Sequence, residues 1–587
     1  MKINNNIIKL FLVFTVVLFN SCETIDLDQT VDPSGVSPDL LDPVYTFNYV
    51  QLRLPDFVES ANSFTQRMTR QMAMTGGTTY DNAYAPINFD TNWSQGYNIL
   101  NAVKIMEPKA IQNKEYYALG GAKVIRAYVL MTMVDMYGDI PLTEALQGNG
   151  NLTPRFDSSL SVYKQVLLDL DEAITILDTP NVAGSKVQDL YYTSAAAWKT
   201  LAKTLKLKMY LNARLAETDL GVNAATEIGA ILSAGDYIDT PAEDFAFKYG
   251  NSRFTPNTRH PLYNDQYELG GGAYIANYMM WASTIEKGTT DTYTPVVIDP
   301  RTDFYFFKQD ASLPTNDFFA IPNRIRPVHY NDVEYASFFN STILTPNTTS
   351  NWIKSSVALP ANGFLGRDHG DASGIPPDAN LRSVAGVYPI GGAYGNAQDV
   401  QSSGSAGALG AGITPILMSS YVNFMKAEAI LKLGVAGNAK TELLAGITAS
   451  IKRSTQAVND YPKLNVRPNP NAPAGPTNQT EQEKIDERTQ LYIDFISTTY
   501  DGLSGDDQLE LIIKEYYLAA WGNGIEPYNN YRRTGFPSNF QPTLEPASGS
   551  FYSTAFYPAS AVNNNPNTPN NVRTRKVFWD KAAIVLH

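Results

Sequence analysis

The sequence predicts a mainly α-helical protein, in which helix pairs form a scaffold and a loop-rich region rests on it. Apolar residues recur at helical spacing over long stretches before about residue 235 and again after 418. Such periodicity is the primary signal of amphipathic helices. Between 235 and 418, Gly, Pro, Asn, Ser and Tyr are dense and long helical periods are few. Short connections between amphipathic helices favour antiparallel pairs stacked in series, as in tetratricopeptide proteins.

Residues 1–21 are predicted to be the signal peptide of a bacterial lipoprotein. Two lysines precede the apolar run Leu10–Phe19, and the small residue Ser21 follows, which is the pattern of a secretory signal. Cys22, the only cysteine of the chain, comes next. We therefore predict that its thiol is lipidated and that it becomes the first residue of the mature protein. A plain signal peptide with an incidental cysteine is the alternative, whereas a transmembrane anchor would need about 20 apolar residues.

An acidic tether at residues 22–41 is predicted to precede a single domain at 42–587. Glu23, Asp26 and Asp28 are followed by sequence that contains Pro and Ser. The whole chain has 43% hydrophobic and 18% charged residues, which is the composition of a globular protein. Its net charge of −13 disfavours a nucleic-acid partner, because such binding requires Lys and Arg to neutralise phosphates. With the one cysteine lipidated, disulfides and thiolate metal sites are excluded.

The first part of the scaffold, at 42–234, is predicted to be helical throughout. One of its helices is apolar on nearly every side from Val124 onward, so we expect it to be central and buried. Gly120 and Gly121 are unfavourable inside it and predict the close approach of a neighbouring element. Asp157 or a following serine, and Ser194, are the expected N-caps of two others. The predicted helices are Trp93–Val103 (ended by Pro108), Lys114–Tyr137, Asp157–Leu177 and Ser194–Leu215.

The second part of the scaffold, at 419–521, is separated from the first by the loop-rich region at 235–418. One helix, Tyr274–Ile285, is predicted within that region. The tail at 522–587 is predicted to be irregular, because its Gly and Pro residues mark turns. The helices predicted in the second part are Ser419–Leu433, Glu481–Ile496 and Asp506–Trp521.

Five segments carry a family resemblance when they are taken together and in order. Lys123–Leu142 has an internal Arg-Ala and closes on Tyr-Gly-Asp-Ile-Pro, and Asp189–Met209 is a Trp-bearing helix. Phe424–Ala429 contains Lys-Ala-Glu-Ala, and Trp521–Pro537 ends on an Arg-Arg-Thr-Gly turn. Gly366–Pro377 matches one branch of the family. The chain thereby resembles the SusD-like, or SusD/RagB, family of nutrient-binding lipoproteins of the Bacteroidetes outer membrane.

The resemblance implies a SusD-like α/α superhelix whose irregular region carries the ligand face. It implies a protein that is not an enzyme, captures an oligosaccharide and delivers it to a SusC-like TonB-dependent transporter, over which it acts as a lid. The RagB type binds peptides, and the acidic, Tyr-rich chain fits either ligand. Glu23, Asp26 and Asp28 resemble the family's signal for export to the cell surface. A surface hydrolase and a purely structural surface protein are the other hypotheses.

Three arginines within the resembling segments are predicted to be structural. Arg126 lies in an apolar helix and needs a carboxylate partner, because an unpaired buried charge is very costly. Glu428 is the predicted partner. Arg532 and Arg533 are predicted to order the tail.

The sequence contains no catalytic motif and no cofactor-binding motif. Its four histidines do not form His-Glu-x-x-His, and the nucleophile elbow, the P-loop and the dinucleotide fingerprint are missing. We therefore expect no catalytic residues, no cofactor and no metal site. The densest polar cluster, Arg367–Asp371, is interpreted either as a cation or ligand site or as a tight turn joined by side-chain-to-backbone hydrogen bonds.

Candidate ligand contacts are aromatic side chains in loop-rich sequence, because Tyr and Trp combine an apolar face with a polar rim. The chain has 35 tyrosines against 26 phenylalanines. Each candidate can equally be a core residue, and Trp93, Trp198 and Trp521 are predicted to be core because they lie on helical stripes. The predicted ligand contacts are Tyr80, Trp281, Tyr293, Trp352, Arg367 and Asp368.

Overall fold

The structure, a computed structural model, describes residues 41–74, 83–182, 187–270, 273–284, 286–287, 297–309, 364, 366–370, 382–394, 403–456, 481–541, 543 and 551–581. Helices predominate in these ranges, as predicted, and their strands are few and short. None of the helices described here combines the length and the apolar character that crossing a membrane requires.

The first part of the scaffold is a series of helices in which each long helix packs on the next. Helices α1 to α5 each contact their neighbour along the chain, and α7 packs back on α5. This serial pairing is the predicted architecture. The bounds are α1 Pro43–Met68, α2 Asp90–Asn113, α3 Tyr116–Tyr137, α4 Ser159–Leu177, α5 Ala195–Asn212, α6 Glu217–Leu220 and α7 Ala224–Ala234, with 3₁₀ turns at Pro86–Phe89, Gly148–Gly150 and Pro241–Glu243.

The loop-rich region contains short helices and two two-stranded antiparallel sheets within its described part. Strand β1 pairs with β4, and β2 pairs with β3. The β1–β4 ribbon joins the start of the region to its end and also contacts α1. The bounds are β1 Phe245–Lys248, α8 Pro261–Tyr263, a π-helix Asn264–Leu269, α9 Asn277–Thr284, α10 Thr302–Tyr305, β2 Phe306–Phe307, β3 Val384–Ala385 and β4 Ile413–Leu417.

The second part of the scaffold closes on the first. Helix α11 packs on α12 and α14, and α15 packs on α1, so the end of the chain returns to its beginning. The bounds are α11 Ser419–Leu433, α12 Ala439–Thr455, α13 Glu481–Asp501, α14 Asp506–Ala519, α15 Ile525–Thr534 and α16 Ala559–Asn564.

The predicted N-caps are confirmed, but the predicted end of α2 is wrong. The hydroxyl oxygen of Ser158 accepts the Ser161 amide, and that of Ser194 accepts the Ala197 amide. Helix α2 continues through Pro108 to Asn113. A proline inside a helix removes one backbone hydrogen bond. Met106 and Ala110 are buried on either side of it, so packing against the core outweighs that loss.

The irregular tail is a second wrong prediction, because residues 525–534 form helix α15. Its sequence is short and mostly polar, yet all ten of its residues are buried. The side-chain oxygen of Asn523 accepts the amides of Ile525 and Glu526 and so satisfies donors that a helix start leaves unpaired. Gly535, at φ +77°, ends the helix. Polar side-chain bonding, which periodicity does not register, therefore holds this helix.

Helix α3 is central and buried, as predicted, and 19 of its 22 residues are buried. A Cβ atom at Gly120 would lie 2.4 Å from Cγ of Leu177, and one at Gly121 would lie 2.5 Å from Cζ of Phe47. The close approach predicted from the two glycines is confirmed. Glycine has a poor helix propensity, but side chains of α4 and α1 can pack against the α3 backbone only because these two positions have no side chain.

The predicted pairing of Arg126 with Glu428 is wrong. Arg126 lies at the α3–α4 interface and pairs with Asp169 of α4, its nearest carboxylate. Glu428 instead accepts from Arg533 (Nη2–Oε2 2.6 Å) and from Arg214 (Nε–Oε1 2.9 Å). Burial opposes ionisation of Glu428, but the two guanidinium groups hold its pKa below the usual value. The structural role predicted for the tail arginines is confirmed, since Arg532 donates to the Ser553 carbonyl.

We expect Gly121→Ala to destabilise the protein, although alanine is the better helix former. Overpacking a core costs roughly 1–3 kcal/mol, against a propensity gain of about 1 kcal/mol. Gly229→Ala in α7 is the matched control, because a Cβ atom there meets nothing within 4 Å. Denaturant unfolding should show a lower free energy of unfolding for Gly121→Ala and a slightly higher one for Gly229→Ala. Equal changes of the same sign would contradict the packing argument.

Candidate functional site

The candidate site is an open cleft in the loop-rich region, with a volume of about 580 Å³. Small-molecule sites commonly measure roughly 300–1,000 Å³. Three segments form its walls: the loop that follows β1, the end of the π-helix, and a loop that precedes β4. The lining residues are Asn251, Ser252, Arg253, Phe254, Arg259, Glu268, Gly404 and Ser405.

The loop after β1 is closed by its own backbone. The Gly250 amide donates to the Thr258 carbonyl (2.9 Å), and the Thr258 amide donates to the Ser252 carbonyl (3.0 Å). The Ser252 amide also donates to Oγ1 of Thr258 (3.1 Å). Arg253 and Phe254 stand at the tip of this closed turn. These hydrogen bonds fix the turn, and the turn presents the two large side chains to solvent.

Arg259 forms the floor of the cleft and connects its three walls. The buried guanidinium donates to Oε1 of Glu268 (2.6 Å), to the Gly404 carbonyl (3.1 Å) and to the Asn251 carbonyl (3.4 Å). It also lies 5.4 Å from the ring centre of Tyr263. A Cβ atom at Gly404 would lie 1.9 Å from Oε1 of Glu268, so only glycine leaves room for this carboxylate. The floor is consequently fixed.

The rim of the cleft combines an exposed ring with charged groups. Phe254 is 81% exposed, which is unusual for a phenylalanine. The Arg253 side chain is 63% exposed, and its Nη2 lies 2.8 Å from Oε2 of Glu268. Each oxygen of Glu268 therefore meets one guanidinium group. An apolar face beside fixed donors and acceptors suits a ligand that has both an apolar surface and hydroxyl groups.

A partly buried polar cluster adjoins the cleft. Oγ1 of Thr414 on β4 donates to Oε1 of Glu59 on α1 (2.5 Å), and the Tyr249 hydroxyl lies 3.0 Å from the same Oγ1. Nε2 of His260 lies 3.7 Å from Oε1 of Glu59. Burial raises the pKa of Glu59 to about 7 and lowers the pKa of His260 to about 3. His260 is therefore neutral at neutral pH, and its Nδ1 accepts the Leu262 amide.

Three predicted ligand contacts lie in the interior. Trp281 is 2% exposed, and its ring centre is 5.4 Å from Nζ of Lys514. The carboxylate of Asp368 accepts from the amide groups of Asn277 (3.1 Å) and Gln541 (2.8 Å). The guanidinium carbon of Arg367 lies 4.1 Å from the ring centre of Tyr274. These contacts join the cluster to distant side chains and are not the side-chain-to-backbone bonds of the turn interpretation. A ligand role for these residues stays a prediction.

The other three predicted contacts, Tyr80, Tyr293 and Trp352, lie outside the described residues. Trp198 and Trp521 are buried, as predicted for core residues, and Trp93 is half-buried. Within the described ranges, no group of three or more His, Cys, Asp or Glu residues is arranged to hold a metal ion.

The residues that line the cleft were not among the predicted contacts. The only sequence signal for Phe254 is an aromatic residue next to an arginine within a Ser-, Thr-, Pro- and Asn-containing stretch. Many loops of this chain share that composition. The ring is exposed because backbone hydrogen bonds between residues 250 and 258 close the turn. No pattern in the sequence predicts those hydrogen bonds.

Comparison with known proteins gives two family matches and a set of similar folds. Residues 37–323 match the family described as "Starch-binding associating with outer membrane", and residues 393–576 match "Susd and RagB outer membrane lipoprotein". No curated protein sequence matches the chain.

The solved structures that resemble this one include SusD homologues. A SusD/RagB family protein from Bacteroides thetaiotaomicron is 15% identical with a TM-score of 0.63, covering 93% of this chain and 100% of its own. A chitin-binding SusD homologue from Flavobacterium johnsoniae is 18% identical with a TM-score of 0.58, covering 92% and 98%. A SusD homologue from Bacteroides fragilis is 17% identical with a TM-score of 0.60, covering 91% and 99%. These likenesses establish the fold.

We expect Glu59→Gln to alter how stability depends on pH. The pKa of Glu59 is raised from 4.5 to about 7 in the folded protein, so its contribution is fully present below pH 4.5 and is lost as pH rises through 7. Glutamine resembles the protonated form at every pH. The variant should be more stable than the parent by about 2–3 kcal/mol near pH 8, with no difference near pH 4.5. Denaturant unfolding across that range checks this, and a pH-independent difference would contradict it.

Proposed function

The chain belongs to the SusD/RagB-like family, and on that premise we propose that it binds oligosaccharides at the outer membrane and passes them, unaltered, to a SusC-like TonB-dependent transporter. The single observation that carries the proposal is the exposed ring of Phe254 beside the Arg253–Glu268 pair. This arrangement stands in a cleft of about 580 Å³ whose floor is fixed by Arg259.

The cleft has the chemistry that a sugar requires. A pyranose ring presents C–H groups on its faces, which pack on an aromatic ring, and hydroxyls around its edge. Asn251, Ser252 and Ser405 supply neutral donors and acceptors next to Phe254. The chitin-binding homologue from Flavobacterium johnsoniae is consistent with a glycan ligand.

The cleft is better suited to binding than to hydrolysis. A glycosidase places two carboxyl groups across the bond that it cleaves. Glu268 is the one carboxylate among the described residues that line this cleft, and both of its oxygens face guanidinium groups. A carboxylate held in this way presents neither oxygen unpaired to a glycosidic bond. Captured ligand should therefore leave unchanged.

A transporter partner relaxes the affinity that the cleft needs. When a lid and a barrel enclose one ligand, each contributes contacts, and linkage makes the second binding event intramolecular. Weak intrinsic binding by this protein then suffices for capture. Copurification of a TonB-dependent barrel with the membrane-bound protein tests the partnership.

Isothermal titration of the purified protein against a glycan panel and a peptide panel tests the ligand class. The proposal expects saturable binding of at least one oligosaccharide, and mass spectrometry should recover the same oligosaccharide after incubation. Binding confined to peptides, or cleavage of a bound glycan, would overturn the proposal.

We expect Phe254→Ala to weaken glycan binding roughly tenfold, because an aromatic contact supplies about 0.5–1.5 kcal/mol beyond the area that it buries. The fold should be unaffected, since the side chain is 81% exposed. Leu269→Ala is the matched control, because Leu269 is 79% exposed and does not line the cleft. Equal affinity of both variants for the glycan would exclude Phe254 as a contact.

We expect Cys22→Ala to release the protein from membranes, because the proposed anchor consists of acyl chains on this thiol. Cell fractionation with detection of the protein in membrane and soluble pools is the measurement. Cys22→Ala that stays in the membrane pool would refute the lipid anchor and leave the glycan site untouched.

A further inference from the structure

The cleft carries a surplus of positive charge on an acidic protein. Among the described residues, its lining contains two arginines and one glutamate, whereas the whole chain has a net charge of −13. Glu268 lies between the arginines and neutralises one of them. One positive charge is therefore left in the place where the exposed ring of Phe254 also stands.

The surplus charge resides on Arg253 and not on Arg259. Arg259 is buried and donates to Glu268, Gly404 and Asn251. Arg253 is 63% exposed on its side chain, and Glu268 is its one partner among the residues that the structure describes. That contact uses Nη2, so the other N–H groups of the guanidinium have no hydrogen-bond partner among the described residues.

Glu268 also orients Arg253. A long arginine side chain in solvent samples many rotamers, and ordering it on binding weakens affinity. The 2.8 Å contact with Oε2 of Glu268 holds the guanidinium above the cleft in advance. Glu268 is itself fixed by Arg259 at 2.6 Å. The donor that a ligand would meet is thus preorganised.

We infer that this cleft selects acidic glycans, whose rings carry a carboxylate or a sulfate group. This inference rests on the proposed function and specifies its ligand class. The acidic group accepts from Arg253 while the sugar ring lies against Phe254. The guanidinium fork matches carboxylate geometry, and hydrogen bonds to charged groups are the stronger ones. A neutral glycan keeps the ring contact and loses this bond.

Isothermal titration with oligogalacturonate, its fully methyl-esterified form and a sulfated oligosaccharide tests the inference on the mature chain. Esterification removes the charge and keeps the backbone of the sugar. We expect the acidic form to bind roughly fivefold to tenfold tighter than the ester at low salt, with the gap closing at 0.5 M salt. Titration with the sulfated oligosaccharide shows whether the cleft prefers a sulfate group or a carboxylate.

Arg253→Gln should lower the affinity for the acidic form by the fivefold to tenfold that separates it from the ester, and so abolish the preference. Lys248→Gln is the matched control, because Lys248 is exposed and outside the cleft lining, and it should keep the preference. Equal or tighter binding of the ester, or a preference that survives Arg253→Gln, would overturn the inference while the proposed function stands. Absence of binding to every carbohydrate would overturn both.

Discussion

The structure depends on a buried carboxylate that holds two guanidinium groups. Glu428 on α11 accepts from Arg533 on α15 and from Arg214, which follows α5. All three side chains are withdrawn from water, where isolated charges would be very costly. The amide oxygens of Asn212 and Asn530 accept further N–H groups of Arg533. Burial of either guanidinium requires the carboxylate of Glu428, and burial of that carboxylate requires a guanidinium partner. The first helices, the second part of the scaffold and the tail must therefore assemble together.

The same principle joins the other segments that carry the family resemblance. Lys208 on α5 pairs with Glu526 on α15, and the Tyr516 hydroxyl donates to the same carboxylate. Asp135 on α3 accepts from Asn529 of α15 and from the indole N–H of Trp579. Helix α15 is thus a polar hub, and its burial rests on hydrogen bonds and ion pairs as well as on the ring contacts of Tyr528 and Tyr531. Segments far apart in sequence meet there.

These contacts explain which parts of the fold the sequence could predict. The bounds of α3, α4, α5 and α11 follow from local periodicity and from serine caps, which need no knowledge of distant residues. Gly120 and Gly121 also allowed close packing to be predicted, because glycine inside a helix is a local signal in the sequence. Helix α15 was missed because it is short and mostly polar, and Arg126 was paired wrongly because its nearest carboxylate is set by three-dimensional position. Among the candidate ligand residues, composition could not separate exposed loops from buried ones, so Phe254, Arg253 and Glu268 were overlooked.

The buried polar hub and the cleft are formed by separate sets of residues. The residues that make the family recognisable, such as Arg533, Glu428 and Lys208, are fixed by one another in the interior. The residues that line the cleft belong to none of those segments. A change at Arg253 or Phe254 would alter the proposed site and leave the ion pairs of the hub intact, because both side chains stand in solvent on a turn closed by its own backbone. Membership of the family can therefore be read from the sequence, whereas the residues that we propose to meet the ligand lie on loops outside the segments that carry the resemblance.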